Sequence, residues 1–375
     1  MPFPQKRQTV SDISPASWNA LHGSQHPFLS HAFLSGLEKH QCLRERWGWE
    51  SSPLSLYQGD ELIAAAPAYI KTNSHGEFVF DHAWAHAYSR TGRNYYPKLV
   101  VAVPYTPVTG PRLMAMNTDA REKLILALEK KALEENLSSV HINFLPESEA
   151  FVLPDYWLKR CDVQFHWQNN SGWQSFDDFL SALNRKKRKN IQQERSQVAK
   201  AGVTLRCVSG LEASDEDVVA MYSFYCSTQL EKGNHPALTL EFFRYLSREM
   251  PESVVIFLAD KNGETIAGAF CLRSDTTLYG RYWGASEIVP GLHFETCYYQ
   301  GIEYCLRKGL TCFEPGAQGE HKIARGFMPV LTYSRHFMAE KAFADALRPW
   351  CDEEREHILN YRDQVIEHSP YRHVD

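Results

Sequence analysis

The chain has 375 residues, 43% of them hydrophobic and 23% charged, with a formal net charge of −5. That is enough chain for two domains with a large core. The charge excludes a general nucleic-acid or membrane binder but leaves room for a local basic patch. Nine cysteines without a CxxC pair argue against a disulfide framework and against a cysteine-rich zinc site. Met1 to Asp12 is polar with no apolar h-region, and no stretch approaches a membrane span, so a cytoplasmic protein is expected.

In chain order, residues 13–50 read as helical pieces interrupted at Pro27, with Ser30 as the N-cap of the second. Pro53 to Tyr57 and Glu61 to Ile70 read as strands around the turn Gln58-Gly59-Asp60, and Pro67 predicts an edge or bulged second strand. His75 to Tyr88 is rich in histidine and aromatics. His82 and His86 share a helix face, but no third ligand stands at a fixed spacing, and no metal site is expected. Tyr95 to Leu113 reads as a strand feeding a proline-rich loop. A helix opens at Asp119, which has capping-box spacing to Glu122, and runs to about Asn136; Val140 to Phe144 follows as a strand. The proline- and amide-rich stretch 145–170 sets a domain boundary, giving domains 1–165 and 166–375.

The second half opens with a helix expected over Phe176 to Ala201. Leu180, Leu183, Ile191 and Val198 form its apolar stripe, and Arg185-Lys186-Lys187-Arg188-Lys189 runs right round it. Such a turn protrudes or meets an anion, which makes Lys186, Lys187 and Arg188 candidate donor-binding residues. Helices over 215–230 and 239–249 precede three strands, 254–259, 264–273 and 277–284, the first two joined by the hairpin signal Asn262-Gly263. A helix from His293 to Lys308 stops at Gly309. The tail, Glu340 to Val365, reads as a charged surface helix.

Cys312 to Phe327 is the densest stretch. After a short strand, Leu310 to Phe313, it packs Glu314, Glu320, His321, Lys322, Arg325 and three glycines into a dozen residues. Loops leaving strand ends are common site positions in α/β folds, and these side chains suit acid/base or anion chemistry.

Two segments repeat. Glu61-Leu62-Ile63-Ala64-Ala65-Ala66 after Gly59-Asp60 parallels Glu264-Thr265-Ile266-Ala267-Gly268-Ala269 after Asn262-Gly263, and each is followed downstream by a helix and a short strand. Two copies of one α/β unit, each a mixed sheet flanked by helices, are expected.

That order of elements resembles the core of the GNAT N-acyltransferase fold. Two copies, the second opened by a basic helix, resemble the FemAB-like tandem-GNAT group, and within it the bacterial peptidoglycan biosynthesis/recognition family. The resemblance is carried by His75-Gly76-Glu77-Phe78-Val79-Phe80-Asp81, Tyr95-Tyr96-Pro97-Lys98-Leu99, Pro104 to Gly110, Phe294 to Gln300 and Glu314 to Phe327. It covers nearly the whole chain. Typical single GNAT domains carry a Q/R-x-x-G-x-G/A loop that wraps the pyrophosphate of acetyl-CoA. Gly284 to His293 lacks it, as FemAB-like proteins commonly do, and several of those use aminoacyl-tRNA instead.

The resemblance implies transfer of an acyl or aminoacyl group to an amine acceptor, such as a peptidoglycan precursor or another peptide. The donor is acyl-CoA or aminoacyl-tRNA, bound as a substrate with no tightly held cofactor. The reaction needs a base for the amine proton and donors for the oxyanion. Glu314, His321 and Glu295 are the candidate catalytic residues. Arg281, Tyr282, Lys322 and Arg325, with Asp81, Tyr95, Tyr96 and Lys98 from the first domain, are the candidate substrate-binding residues. The alternative is a non-catalytic binding protein that keeps the fold. DNA is not an expected partner.

Overall fold

A computed structural model describes residues 7–22, 26–316 and 319–372. Two compact units make up the chain. One comprises residues 1–162 and 331–360, the other residues 163–330 and 361–375.

In the first unit, β1 (Trp49–Ser51), β2 (Leu54–Gln58), β3 (Glu61–Ala66) and β4 (Ala68–Lys71) are two halves of one hairpin. β1 pairs with β4 and β2 with β3 in a single register: Ser51 faces Tyr69, and Leu54 faces Ala66. Pro53 and Pro67 therefore lie opposite each other at the break. Neither has an N–H for the ladder, and the halves part into different sheets there. β4 continues into the order β1-β4-β5-β7-β14, with β5 (Lys98–Val101), β7 (Ser139–Leu145) and β14 (Met328–Met338). β3 is the middle of a separate sheet, between β2 and β6 (Met114–Ala115). Pro67 thus makes the strand change sheets instead of placing it at an edge.

β5 and β7 are parallel. The helix between them, Thr118–Glu134, buries Leu124, Ile125, Leu128 and Ala132 in one core with Leu99, Val101, Val140 and Ile142. Each of the Leu, Ile and Val side chains contributes roughly 1.5–3 kcal/mol of burial. Its N-cap is Asn117, whose side chain accepts from Ala120 N at 2.9 Å, and not Asp119. Asn117 has the extended backbone an N-cap requires.

In the second unit, β9 (Thr204–Ser209), β10 (Val254–Lys261), β11 (Glu264–Arg273) and β12 (Thr277–Ala285) form an antiparallel run in the order β12-β11-β10-β9. Asn262 and Gly263, at φ 54° and 85°, make the tight β10–β11 turn. β12 then pairs in parallel with β13 (Cys312–Glu314), which pairs antiparallel with Trp167 and Gln168 of β8 (Leu158–Gln168).

The repeat is visible in the registers. Each hairpin slips by one residue near its turn, between Leu56 and Tyr57 in one and between Ala259 and Asp260 in the other. In each, a parallel pair crossed by helices follows. This mixed α/β architecture is the one the resemblance implies.

Two helices differ from expectation. The span 176–201 is two helices, Phe176–Ala182 and Arg185–Lys200, because Leu183 turns extended and Asn184 caps a new start. The helix Lys341–Glu367 is no mere surface element, since its Ala344, Leu347 and Cys351 pack with Trp84, Tyr88 and Tyr95 in a core cluster of the first unit.

Candidate active site at the parted strands of the second unit

β12 and β13 are neighbours only where Thr277 to Tyr279 face Cys312 to Glu314. Pro315 then follows β13, while β12 runs on to Ala285. On its other side β12 slips against β11. Phe270 faces Tyr282 and Cys271 faces Gly280, so Arg281 is the extra residue of a β-bulge. A bulge bends its strand and re-aims a side chain. Beside it lies a narrow cavity of about 80 Å³, lined by Gly280, Arg281, Tyr282, His293, Cys297 and Tyr298 among others. A Cβ on Gly280 would stand 3.3 Å from Pro315 Cα, so the missing side chain keeps this space open.

The facing wall is a π turn, Glu295–Tyr299, set between Leu292–Phe294 and Gln300–Lys308. π turns widen a helix locally and are frequent at functional sites. This one presents the Tyr298 hydroxyl 2.8 Å from His321 Nε2. Cys297 Sγ lies 3.6 Å from His293 Nδ1. Burial pushes the Cys297 thiol up and, with His321 nearby, pulls His293 down to about 4. The pair is therefore neutral and supplies no thiolate.

The candidate residues fall into distinct environments. Glu314 ends β13, half-buried, and its charge opposes the burial that pulls the Arg281 guanidinium down. Tyr282 sits in the cavity wall, its ring 4.8 Å from that of Tyr225. Lys322 is 2% exposed and donates to Gly316 O at 2.6 Å. Burial pulls it down to about 8. His321 is held below its usual value by partial burial and by Arg325 and Lys322. It is therefore neutral at pH 7.

Two candidates are engaged elsewhere. Glu295 receives Arg195 Nε and Nη2 at 3.0 and 3.1 Å and Gln300 Nε2 at 2.8 Å. With both oxygens engaged by these donors, Glu295 has little left to meet a substrate amine. Arg325 donates to Glu194 Oε1 at 2.6 Å, to the Tyr299 hydroxyl at 3.1 Å and to His321 O at 2.8 Å, with its guanidinium 3.3 Å from the Phe294 ring centre. It braces the 3₁₀ turn Glu320–Arg325 and has little left for a ligand. Ala317 and Gln318 of this stretch lie outside the described residues.

Lys186, Lys187 and Arg188 occupy the first turn of the helix Arg185–Lys200, where the Asn184 side chain accepts from Lys187 N at 3.0 Å. No acidic residue stands in that turn. Lys186 is exposed and the other two are half-buried. Cations at the positive end of a helix dipole are unfavourable unless an anion joins them.

The first-domain candidates meet, but in the interior. Lys98 Nζ donates to Glu77 Oε2 at 2.9 Å, to Ser74 Oγ at 3.2 Å and to Asp81. Asp81 also receives Ser74 Oγ at 2.6 Å and the Tyr95 hydroxyl at 2.7 Å, and Tyr96 OH lies 2.7 Å from Ser74 Oγ. Burial would raise Asp81, but Lys98 and these hydrogen bonds outweigh it and hold Asp81 below its usual value. Asp81, Tyr95 and Lys98 are thus a buried ion-pair cluster, not an open substrate surface, because each needs the others to survive desolvation. His82 and His86 are exposed on the helix His82–Ser89.

A family profile described as FemAB-like, peptidoglycan biosynthesis/recognition, matches residues 9–373. The chain belongs to the FemAB-like family. No curated protein matches it. Among solved structures, FemX aligns with a TM-score of 0.52 at 11% identity, covering 87% of this chain and 96% of FemX. A conserved protein of unknown function from Bacteroides thetaiotaomicron VPI-5482 aligns at 0.50 and 10% identity, covering 89% of this chain and 98% of its own. A tandem GNAT protein from the clavulanic acid biosynthesis pathway aligns at 0.44 and 9%, covering 89% and 97%. At such identities the likeness is one of fold. With the repeated registers, the fold is a mixed α/β one shared with FemX and built from two copies of one unit. Among the described residues, no helix of this FemAB-like chain is long and apolar enough to cross a membrane.

Sequence reading of a FemAB-like chain missed Tyr298, His293, Cys297 and Gly280. The available signal was the density of aromatic and histidine side chains in Leu292 to Tyr299. The π turn that aims them leaves no mark in the hydrophobic period.

Proposed function

We propose that the second unit is an N-acyltransferase whose donor carbonyl enters between β12 and β13. The observation that carries this reading is the parting of these parallel strands beyond Glu314, with the bulge at Arg281 and the cavity beside it. Glu314, at the strand end, takes the proton of the attacking amine. Arg281, half-buried in the cavity wall, and the buried Lys322 stabilise the charge on the carbonyl oxygen. The Tyr298–His321 pair returns a proton to the leaving group. Lys186, Lys187 and Arg188 at the helix start bind phosphates of the donor, acyl-CoA or aminoacyl-tRNA. Family membership favours a peptidoglycan precursor or a related peptide as the amine acceptor.

The test is thermal unfolding with acetyl-CoA, a longer acyl-CoA and deacylated bulk tRNA, since a ligand that binds only the native state raises the midpoint. A shift with a CoA species that is lost in K186A/K187A supports acyl-CoA. A shift with tRNA that collapses as salt rises supports aminoacyl transfer. With the donor identified, turnover of an amine acceptor should vanish in Glu314→Gln. Turnover that survives the change removes Glu314 from the mechanism.

A further inference from the structure

The first unit holds chemistry that the second unit's site does not use. β7 and β14 run antiparallel, with His141 facing His336 and Asn143 facing Ser334. The pairing slips between Tyr333 and Ser334, which leaves Phe144 as the extra residue of a bulge, at φ 56°. That left-handed conformation is rare and strained for a bulky side chain, and such strain clusters at functional sites. Phe144 and Ser334 both line a cavity of about 360 Å³, with Trp84, Tyr333 and Trp350 among its other walls.

A chain of hydrogen bonds runs inward from this cavity. His336 Nε2 lies 2.9 Å from Ser334 Oγ, and His336 Nδ1 lies 2.7 Å from His141 Nδ1. His141 Nε2 lies 2.7 Å from Ser139 Oγ and 3.2 Å from the Tyr95 hydroxyl. The proton positions follow from the inner end. Tyr95 donates to Asp81 Oδ2 at 2.7 Å. Ser138 donates to the Tyr95 carbonyl, which leaves Ser138 Oγ to accept from Ser139, 3.1 Å away. When Ser139 gives its proton to Ser138 and not to His141, His141 Nε2 carries a hydrogen and its Nδ1 is bare. In that tautomer His336 Nδ1 donates to it, and His336 Nε2 keeps its lone pair for the Ser334 hydroxyl. Burial holds both imidazoles well below their usual pKa, which keeps them in the neutral form this arrangement needs.

A hydroxyl donating to an imidazole that a third group orients is the arrangement of an activated nucleophile. Asn143 adds a second, independent feature. It is fully buried, and neither its amide nitrogen nor its amide oxygen has a hydrogen-bond partner among the described residues. Leaving a buried amide unpaired costs stability. Its place across from Ser334 suits a donor waiting for a developing oxyanion.

We propose that this cavity is a second catalytic site, acting on small carboxylic esters with an apolar acyl group, in which Ser334 is the nucleophile, His336 its base and Asn143 the oxyanion donor. Ser334 Oγ bonds to the ester carbonyl carbon while its proton passes to His336 Nε2. The carbonyl oxygen takes up the negative charge beside Asn143. The bond to the alcohol oxygen then breaks, and the alcohol leaves with the proton from His336. Water repeats the sequence on the acyl-Ser334 and releases the acid. His141, Tyr95 and Asp81 are positioning residues that hold the tautomer. The aromatic walls suit an apolar acyl group.

The test treats the full chain with a fluorophosphonate, which forms an Oγ–P bond with loss of fluoride, and maps the modified peptide by mass spectrometry. Hydrolysis of p-nitrophenyl acetate is followed in parallel. The expected result is modification at Ser334, none in Ser334→Ala, and a rate lowered on the order of a hundredfold in His336→Gln. Asn143→Leu lowers ester turnover by about 10²–10³ in kcat. Tyr95→Phe lowers kcat with KM unchanged. Modification of the unaltered chain elsewhere than Ser334, no modification at all, or an equal rate in His336→Gln overturns the proposal. The decisive map uses the unaltered chain, so a variant that fails to fold does not obscure it.

Discussion

Arg195 holds both carboxylate oxygens of Glu295, at 3.0 and 3.1 Å, and reaches Glu303 at 2.7 Å with its remaining terminal nitrogen. Glu295 is 3% exposed, so this pair fastens the π turn to the helix Arg185–Lys200 from the inside. Glu295→Gln leaves Arg195 with Glu303 as its one carboxylate partner among the described residues and should destabilise the protein by about 2 kcal/mol in urea unfolding, with turnover per folded molecule little changed. Glu314→Gln should show the reverse, near-native stability with lost turnover. Equal loss of turnover in both variants would contradict this division of roles.

The interior cluster of the first unit predicts a pH dependence of stability with two opposed limbs. Burial raises Glu77 from its usual 4.5 to about 7. The folded state then binds more protons than the unfolded chain between these values, and stability falls as pH rises through that window. Burial lowers Lys71 from 10.5 to about 7. Here the unfolded chain binds more protons, and stability rises with pH above 7. The cluster's contribution is lowest near pH 7. Thermal midpoints measured from pH 5 to pH 9 should show the lower limb flattened in Glu77→Gln and the upper limb flattened in Lys71→Met.

Two glycines on β12 should respond differently to alanine. A Cβ on Gly284 would lie 2.1 Å from Phe224 O, a backbone atom of the helix Asp215–Glu231 that cannot swing away. Gly284→Ala should lose several kcal/mol or fail to fold, as overpacking of a tight core does. At Gly280 the nearest atom is 3.3 Å away. Gly280→Ala should fold with a near-native midpoint but weaken any ligand-induced thermal shift, because it narrows the cavity. Unaltered ligand shifts would show that the donor enters elsewhere.

Asn184→Ala removes the cap of the basic helix and should cost about 1 kcal/mol. Amide hydrogen exchange should speed up at residues 185–188 before it does so elsewhere. Bound donor should restore protection there, since an anion takes over the same N–H groups.

The parts of the fold legible in the sequence were those carried by local chemistry. Asn262-Gly263 marks its hairpin, Ser30 and Gly309 mark their helix ends, and Glu61 to Ala66 matches Glu264 to Ala269 closely enough to reveal the repeat. Where competing local choices were close, the reading failed. Leu180, Leu183 and Ile191 keep a helical period across a break that only the extended backbone of Leu183 and the cap at Asn184 create. Asp119 resembles a cap as well as Asn117 does, and tertiary position decides. The sites were legible as stretches but not as constellations. Glu314 and Lys322 lie in one charged stretch, yet nothing local announces that Arg281 is a bulge residue or that Glu295 is claimed by a helix a hundred positions earlier. His141 and His336 are 195 positions apart, and only the β7–β14 register brings them together.

β14 also carries a consequence for synthesis. Within the first unit β7 has β5 on one flank and β14 on the other. The strand that completes this sheet is thus synthesised only after β9 to β13 of the second unit. Until then β7, though destined for the interior, offers an open row of amides and carbonyls, the kind of edge that recruits other chains. Folding from the N-terminus cannot finish what it begins first. A chain halted at residue 330 should be captured by chaperones or aggregate, while the second unit, later in sequence, already has β9 to β13.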